Sequence, residues 1–146
     1  MAMNPLVYFD TSAFAKWYLR EARSDEVEAY IRANGPVAIS DLTVVEMRSL
    51  LARHRREKNI DIGLEGQVFA TFQEDIRQGF LVCHPFPTGL ALATTNLLTL
   101  LQDIPLRTLD ALHLAIAAEI RADTIATADR VMAQGATALH IKVEQF

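Results

Sequence analysis

Hydrophobic positions in this chain fall into two kinds of run. Leu6–Phe9, Val37–Ser40, Phe80–Cys83, Thr124–Ala126 and Ala138–Ile141 are short and show no clean apolar–polar alternation. Such runs predict interior strands of a parallel sheet covered on both faces. Between them, apolar residues return every three or four positions, the helical period. That pattern predicts helices over Ser12–Leu19, Ser24–Ala33, Thr43–Lys58, Gly63–Gln78, Thr88–Gln102, Thr108–Ala122 and Ala128–Gln134. Val68, Phe69, Phe72 and Ile76 share a face of the fourth helix, and Leu109, Leu112, Ile116 and Ile120 one of the sixth. Asn34-Gly35-Pro36 closes the second helix, and Gly135 closes the last. Strands that alternate with helices predict an α/β protein: a three-layer α/β/α sandwich around a central, mostly parallel sheet of four to five strands. With 146 residues and no linker, repeat or low-complexity tract, the expectation is one domain over 1–146.

Composition narrows this little. Charged residues make up 22% and hydrophobic ones 51%, an ordinary globular balance. A net charge of −4 argues against a general nucleic-acid coat, though not against an enzyme that grips a phosphate through a bound cation. The single cysteine, Cys83, excludes an intrachain disulfide and reads as a core thiol in a reducing cytoplasm. Met1-Ala2-Met3-Asn4-Pro5 lacks the basic stretch and cleavage site of a secretory leader. No Asp, Glu, Lys or Arg occurs from Gln78 to Gln102, but Gly79, Pro85, Pro87 and Gly89 interrupt the run. A strand, a turn and a core helix fit it better than a membrane span, so the expectation is a cytoplasmic protein with no membrane partner.

The candidate chemistry is acidic. Asp10, Glu46, Asp110 and Asp129 each fall at or just inside the start of a predicted helix, and all but Asp110 follow a short apolar strand. In an open parallel sheet, the edge where strands hand over to helices is where ligands bind. Carboxylates gathered there repel one another unless a cation sits between them, and oxygen ligands suit Mg²⁺ or Mn²⁺. Each acid also has a structural reading. Asp10 suits a helix N-cap, and Glu46 the third helical position of a capping box begun by Thr43. Asp110 and Asp129, following Thr108 and Thr127, suit the positive end of a helix dipole. The joint pattern favours the cation. Other α/β chemistries lack their residues: no zinc-spaced Cys/His set occurs, and no G-x-G-x-x-G follows a strand. A phosphatase would need an acid where Ser12 stands, and a phosphoacceptor receiver would need acids where Phe9 and Thr11 stand. Arg48, Arg53, Arg55, Arg56 and Lys58 form a basic stretch, extended by Lys16, Arg20 and Arg23. It reads either as a solvated helix end or as a surface for an RNA backbone or an acidic partner.

The segments Val7-Tyr8-Phe9-Asp10-Thr11-Ser12-Ala13, Ser40-Asp41-Leu42-Thr43-Val44-Val45-Glu46, Leu106-Arg107-Thr108-Leu109-Asp110-Ala111-Leu112-His113-Leu114-Ala115 and Ala126-Thr127-Ala128-Asp129 resemble the PIN-domain ribonucleases. They are most similar to the VapC toxins of bacterial and archaeal toxin–antitoxin pairs, and the likeness spans nearly the whole chain. The resemblance implies an endoribonuclease dependent on Mg²⁺ or Mn²⁺. It makes Asp10, Glu46, Asp110 and Asp129 the catalytic, metal-holding acids and Ser12 and Thr127 their supports. It also implies a homodimer and a small antitoxin that blocks the site. His113, one turn beyond Asp110, reads as packing or support. Whether one metal or two would bind stays open. The alternatives are a PIN-like nuclease of RNA processing with no antitoxin, and a binding module without catalysis, against which the intact acid set argues.

Overall fold

The computed structural model describes residues 4–146; Met1–Met3, part of the segment read above for leader character, lie outside the described residues. Strands β1 (Val7–Phe9), β2 (Val37–Ser40), β3 (Leu81–His84), β4 (Thr124–Thr127) and β5 (Lys142–Gln145) form one parallel sheet in the order β3-β2-β1-β4-β5. Every residue of β1, β2 and β4 is buried, the uncharged Ser40, Thr124 and Thr127 included, whereas the edge strands β3 and β5 are partly exposed. The chain begins in the middle, runs outward through β2 to β3, and then crosses to the other side of β1. That crossing creates a switch point between β1 and β4, where a crevice opens beyond the carboxyl ends of the strands.

Seven helices among the described residues cover the sheet: α1 (Thr11–Tyr18), α2 (Ser24–Asn34), α3 (Asp41–Arg56), α4 (Ile62–Arg77), α5 (Leu90–Leu100), α6 (Thr108–Glu119) and α7 (Arg130–Ala138). Successive strand side chains point to opposite faces, and the core divides accordingly. Val7, Phe9, Val37 and Ile39 pack with Phe14 of α1, Val27 and Ile31 of α2, Met47 of α3 and Phe72 of α4. Tyr8, Ala38 and Ile125 pack with Leu97 of α5, Leu114 of α6, and Met132 and Ala136 of α7. The predicted three layers are therefore present. Aromatic rings lock the first layer: Phe14, Tyr18 and Phe72 stand 5.4 to 5.6 Å apart, centroid to centroid. No helix of the described residues is long and apolar enough to cross a membrane.

Two sequence expectations fail near the C-terminus, for one reason. Gly135 does not end α7, which continues to Ala138, and the last strand is Lys142–Gln145 rather than Ala138–Ile141. Gly135 instead lets α7 pass close to α6: a Cβ there would lie 2.6 Å from Leu114 Cδ1 and 3.2 Å from Leu106 Cδ2. The left-handed residue that stops the helix is His140, at φ 61°. Its amide bonds to the Thr137 carbonyl at 3.0 Å and that of Ile141 to the Ala136 carbonyl at 2.9 Å, the paired bonds of a Schellman ending. Lys58 and Arg121 end α3 and α6 in the same left-handed way, at φ 62° and 57°. Cys83 is partly rather than fully buried; burial, and then Asp41 beside it, push its thiol up to about 11. It is therefore protonated near neutrality.

Two helix-interior glycines should respond oppositely to alanine. A Cβ added to Gly66 in α4 would meet nothing within 4 Å, so Gly66→Ala should gain the helix-propensity difference of about 0.5–1 kcal/mol. Gly135→Ala should forfeit that gain to overpacking, which costs about 1–3 kcal/mol. Urea unfolding of both variants checks the pair; a stabilised Gly135→Ala would contradict the close α6–α7 packing.

Candidate active site

The carboxyl ends of β1 and β4 deliver the first groups. Asp10 follows β1 and caps α1, so its structural reading holds: Oδ1 accepts from the Ala13 amide at 3.0 Å. The same carboxylate also takes the Ser12 hydroxyl on Oδ1 at 2.7 Å and the Thr127 hydroxyl on Oδ2 at 2.5 Å. Ser12 and Thr127 thus stand where a supporting role needs them. Asp10 is only 3% exposed. Burial pushes its pKa above the ordinary carboxylate value, and His113 and these hydrogen bonds pull it only partly back. Asp129 follows β4 and caps α7, accepting from the Met132 amide at 2.9 Å. Asp110 lies in the first turn of α6, with the Arg107 amide 3.4 Å from Oδ2.

Glu46 does not sit where a capping box would place it. Helix α3 begins at Asp41 with Ser40 as its N-cap, and Thr43 Oγ1 takes the Ser40 amide at 3.2 Å. Glu46 is therefore too far along the helix to reach the cap. Its Oε1 instead accepts from Thr11 Oγ1 at 2.8 Å and lies 2.5 Å from His113 Nε2. The capping-box reading of Glu46 fails because Ser40, not Thr43, starts the helix.

All four acids line one cavity of about 780 Å³, together with Thr11, Ser12, Lys16, Arg53, Arg107 and His113. Among the described residues no three His, Cys, Asp or Glu side chains converge into a ready-made metal cage. The acids surround an open space instead. One arginine already answers their charge: Arg107 Nη2 is 3.3 Å from Asp129 Oδ2, and Nε is 3.5 Å from Asp110 Oδ2. Arg107 is 78% exposed, so these contacts are weak and exchangeable. Sequence reasoning passed over Arg107; its place three residues before Asp110, one helical turn away, was the available signal.

The basic stretch divides. Arg48 and Arg55 fork onto Glu65 of α4, at 3.2 and 2.7 Å. Glu65 is buried to 6% side-chain exposure; burial pushes its pKa up, but Arg55 and Arg48 together hold it below the usual value. Those two arginines join α3 to α4. Arg53 lines the cavity, while Arg56 is exposed and makes no ion pair among the described residues. Lys16 reaches the cavity from α1 while donating to the Ala22 carbonyl at 2.9 Å. Arg20 and Arg23 pair with Asp25 and Glu26 on the surface.

The pattern of the PIN domain family matches residues 7–137, nearly the whole chain. The chain belongs to the PIN-domain family. Solved structures similar to this PIN domain include the VapC20 toxin of Mycobacterium tuberculosis, described as cleaving the sarcin–ricin loop. It is 17% identical, with 88% of this chain and 93% of that one covered and a TM-score of 0.68. FitAcB from Neisseria gonorrhoeae is 18% identical, with 94% and 96% covered and a TM-score of 0.67. DNA-bound VapBC from Salmonella typhimurium is 15% identical, with 97% and 98% covered and a TM-score of 0.68. At these identities the likeness is one of fold. No curated protein matches the chain in sequence.

The buried Asp10 carboxyl has a pH consequence. Its folded pKa is raised, so its contribution to stability is full below the unfolded value and is lost as pH rises through the folded one. Asp10→Asn should therefore melt higher than wild type at pH 7 to 8 without divalent metal. The difference should shrink as pH falls through the raised pKa. A gain of about 1 kcal/mol corresponds to about 4 °C for a chain of this size. Thermal melts across pH check it; a lower Tm for the variant at neutral pH would mean that the charged form is favoured by its surroundings.

Proposed function

We propose that this PIN-domain protein is an endoribonuclease dependent on Mg²⁺ or Mn²⁺ and the toxin of a toxin–antitoxin pair. The observation that supports it most is the meeting of Asp10, Glu46, Asp110 and Asp129 around one cavity at the β1–β4 switch point. The donor set fits such an ion. Carboxylates are hard oxygen ligands, and an open cavity suits Mg²⁺, which keeps several of its waters. The Arg107 bridge across Asp110 and Asp129 is a further sign that these carboxylates call for a cation. Bound there, the ion would supply an acidified water and neutralise charge on a phosphoryl group.

The protein's own groups divide the remaining work. Asp10, Glu46, Asp110 and Asp129 hold the cation, while Ser12 and Thr127 orient Asp10. Arg107, Lys16 and Arg53 line the same cavity as cations within reach of a phosphate backbone. RNA as substrate is supported by the similarity to a toxin described as cleaving the sarcin–ricin loop. A partner protein is supported by the similarity to DNA-bound VapBC and to FitAB bound to a DNA fragment. We further propose a single domain over 1–146, a homodimer and a cytoplasmic site of action. Ile62, Phe80, Leu92 and Leu100, each at least 60% exposed, offer apolar surface for self-association.

Purified protein incubated with structured RNA should cut only with Mg²⁺ or Mn²⁺ present and stop on chelation. Asp10→Asn and Asp110→Asn, both folded, should cut at least about 10²-fold more slowly, the scale of losing a group that stabilises transition-state charge. Mg²⁺ at a hundredfold excess over Kd should stabilise the wild type by about 2.7 kcal/mol, and Asp10→Asn should lose most of that shift. Cleavage in chelator, or equal metal stabilisation of both proteins, would remove the assignment.

A further inference from the structure

Beneath the acidic cavity runs a line of buried polar groups that metal-holding alone does not require. Ser40 Oγ lies 2.9 Å from Tyr8 Oη, which lies 2.6 Å from His113 Nδ1. His113 Nε2 is 2.5 Å from Glu46 Oε1, which also takes the Thr11 hydroxyl at 2.8 Å. Tyr8 and Ser40 are 0% exposed and His113 2%. They sit against the apolar cluster that includes Ala38, Ala111 and Leu114. Apolar side chains would be less costly there, since buried polar groups reduce stability unless every one is paired. Every member of the line finds a partner within it. A carboxylate only accepts, so Nε2–H donates to Glu46. Nδ1 bonds the Tyr8 hydroxyl, which in turn bonds that of Ser40. Burial raises the Tyr8 pKa and keeps the phenol a donor.

The line ends on a single oxygen. Oε1 of Glu46 holds both hydrogen bonds, and Oε2 has no partner among the described residues. Glu46 is a flexible side chain on α3, and of the four acids it alone does not serve at a helix N-terminus. Asp10 and Asp129 are held as N-caps and Asp110 by the Arg107 amide. Glu46 has no such backbone anchor, and the buried line takes that place. We propose that His113, fixed in turn by Tyr8 and Ser40, is a positioning residue that pins Glu46 through Oε1 and leaves Oε2 for the cation. This rests on the reading of the four acids as a metal site. Groups that orient a metal ligand from behind characteristically change metal affinity by about 10- to 100-fold when removed.

Mn²⁺ binding to the RNA-free protein, followed by electron paramagnetic resonance, tests this without any cleavage assay. Tyr8→Phe removes one hydroxyl and keeps the ring; His113→Leu removes the imidazole; His113→Gln keeps an N–H donor near the Nε2 position. Tyr8→Phe and His113→Leu should each weaken Mn²⁺ binding by about tenfold or more. His113→Gln should retain most of the affinity, and Tyr8→Phe added to His113→Leu should cost little further, because both act through one carboxylate. A role limited to core stability would lower Tm and leave Mn²⁺ affinity at the wild-type value. That result in folded Tyr8→Phe, or a His113→Gln variant no better than His113→Leu, overturns the proposal. Should His113→Leu not fold, Tyr8→Phe and His113→Gln decide it. Asp10→Asn is the control that separates the two readings. Wild-type Mn²⁺ affinity in Asp10→Asn sinks the metal site itself, whereas affinity lost in Asp10→Asn but kept in Tyr8→Phe sinks only the positioning role.

Discussion

Four carboxylates line one cavity, and much of the local structure goes into answering the charge of each. Asp10 is nearly sealed from water, a cost that folding accepts only because two hydroxyls and an amide converge on it. Asp110 and Asp129 share the guanidinium of Arg107. Glu46 is braced by Thr11 and His113. Every acid thus has a compensating group nearby, Asp110 and Asp129 sharing theirs. The proposed cation would recover stability given up by gathering these charges at one site.

The sheet topology makes the meeting possible. Asp10 leaves β1 and Asp129 follows β4, neighbours at the switch point whose register pairs Phe9 with Ala126. Their separation in sequence is wide, yet parallel pairing places both strand ends on one edge. Helices α3 and α6 bring Glu46 and Asp110 over the same edge. The alternation of β1 matters equally. Val7 and Phe9 point into the layer of α1 to α4, so Tyr8 must point toward α6, where His113 stands. A one-residue slip of β1 would bury an aliphatic or phenyl side chain there and leave His113 Nδ1 without its partner.

What was legible in the sequence follows from how local each signal is. The interior strands, read as Val37–Ser40 and Thr124–Ala126, announced themselves because burial on both faces favours short, uncharged, mostly apolar runs. The edge strand Lys142–Gln145 carries Lys142, Glu144 and Gln145, so Val143 was its one apolar mark, and the Ala-Leu end of α7 was read in its place. Glycine was expected to end helices, and at Gly79 it does, at φ 81°. Lys58, Arg121 and His140 accept the same left-handed geometry without glycine's advantage, which no propensity reveals. Asp10, Asp110 and Asp129 were legible because each sits at a strand–helix or loop–helix junction, and Glu46 because it follows β2 within two helical turns. Arg107 and the Tyr8–His113 line were not, because their meaning depends on contacts between residues far apart in the chain.

The central claim is that Asp10, Glu46, Asp110 and Asp129 constitute a divalent-cation site. Anomalous diffraction from crystals of the protein soaked in Mn²⁺ tests it most directly. A peak is expected inside the cavity, ligated by oxygens of this set, with the Arg107 guanidinium drawn away from Asp110 and Asp129. A well-soaked crystal with its Mn²⁺ bound elsewhere, and Arg107 still bridging the two aspartates, would contradict it.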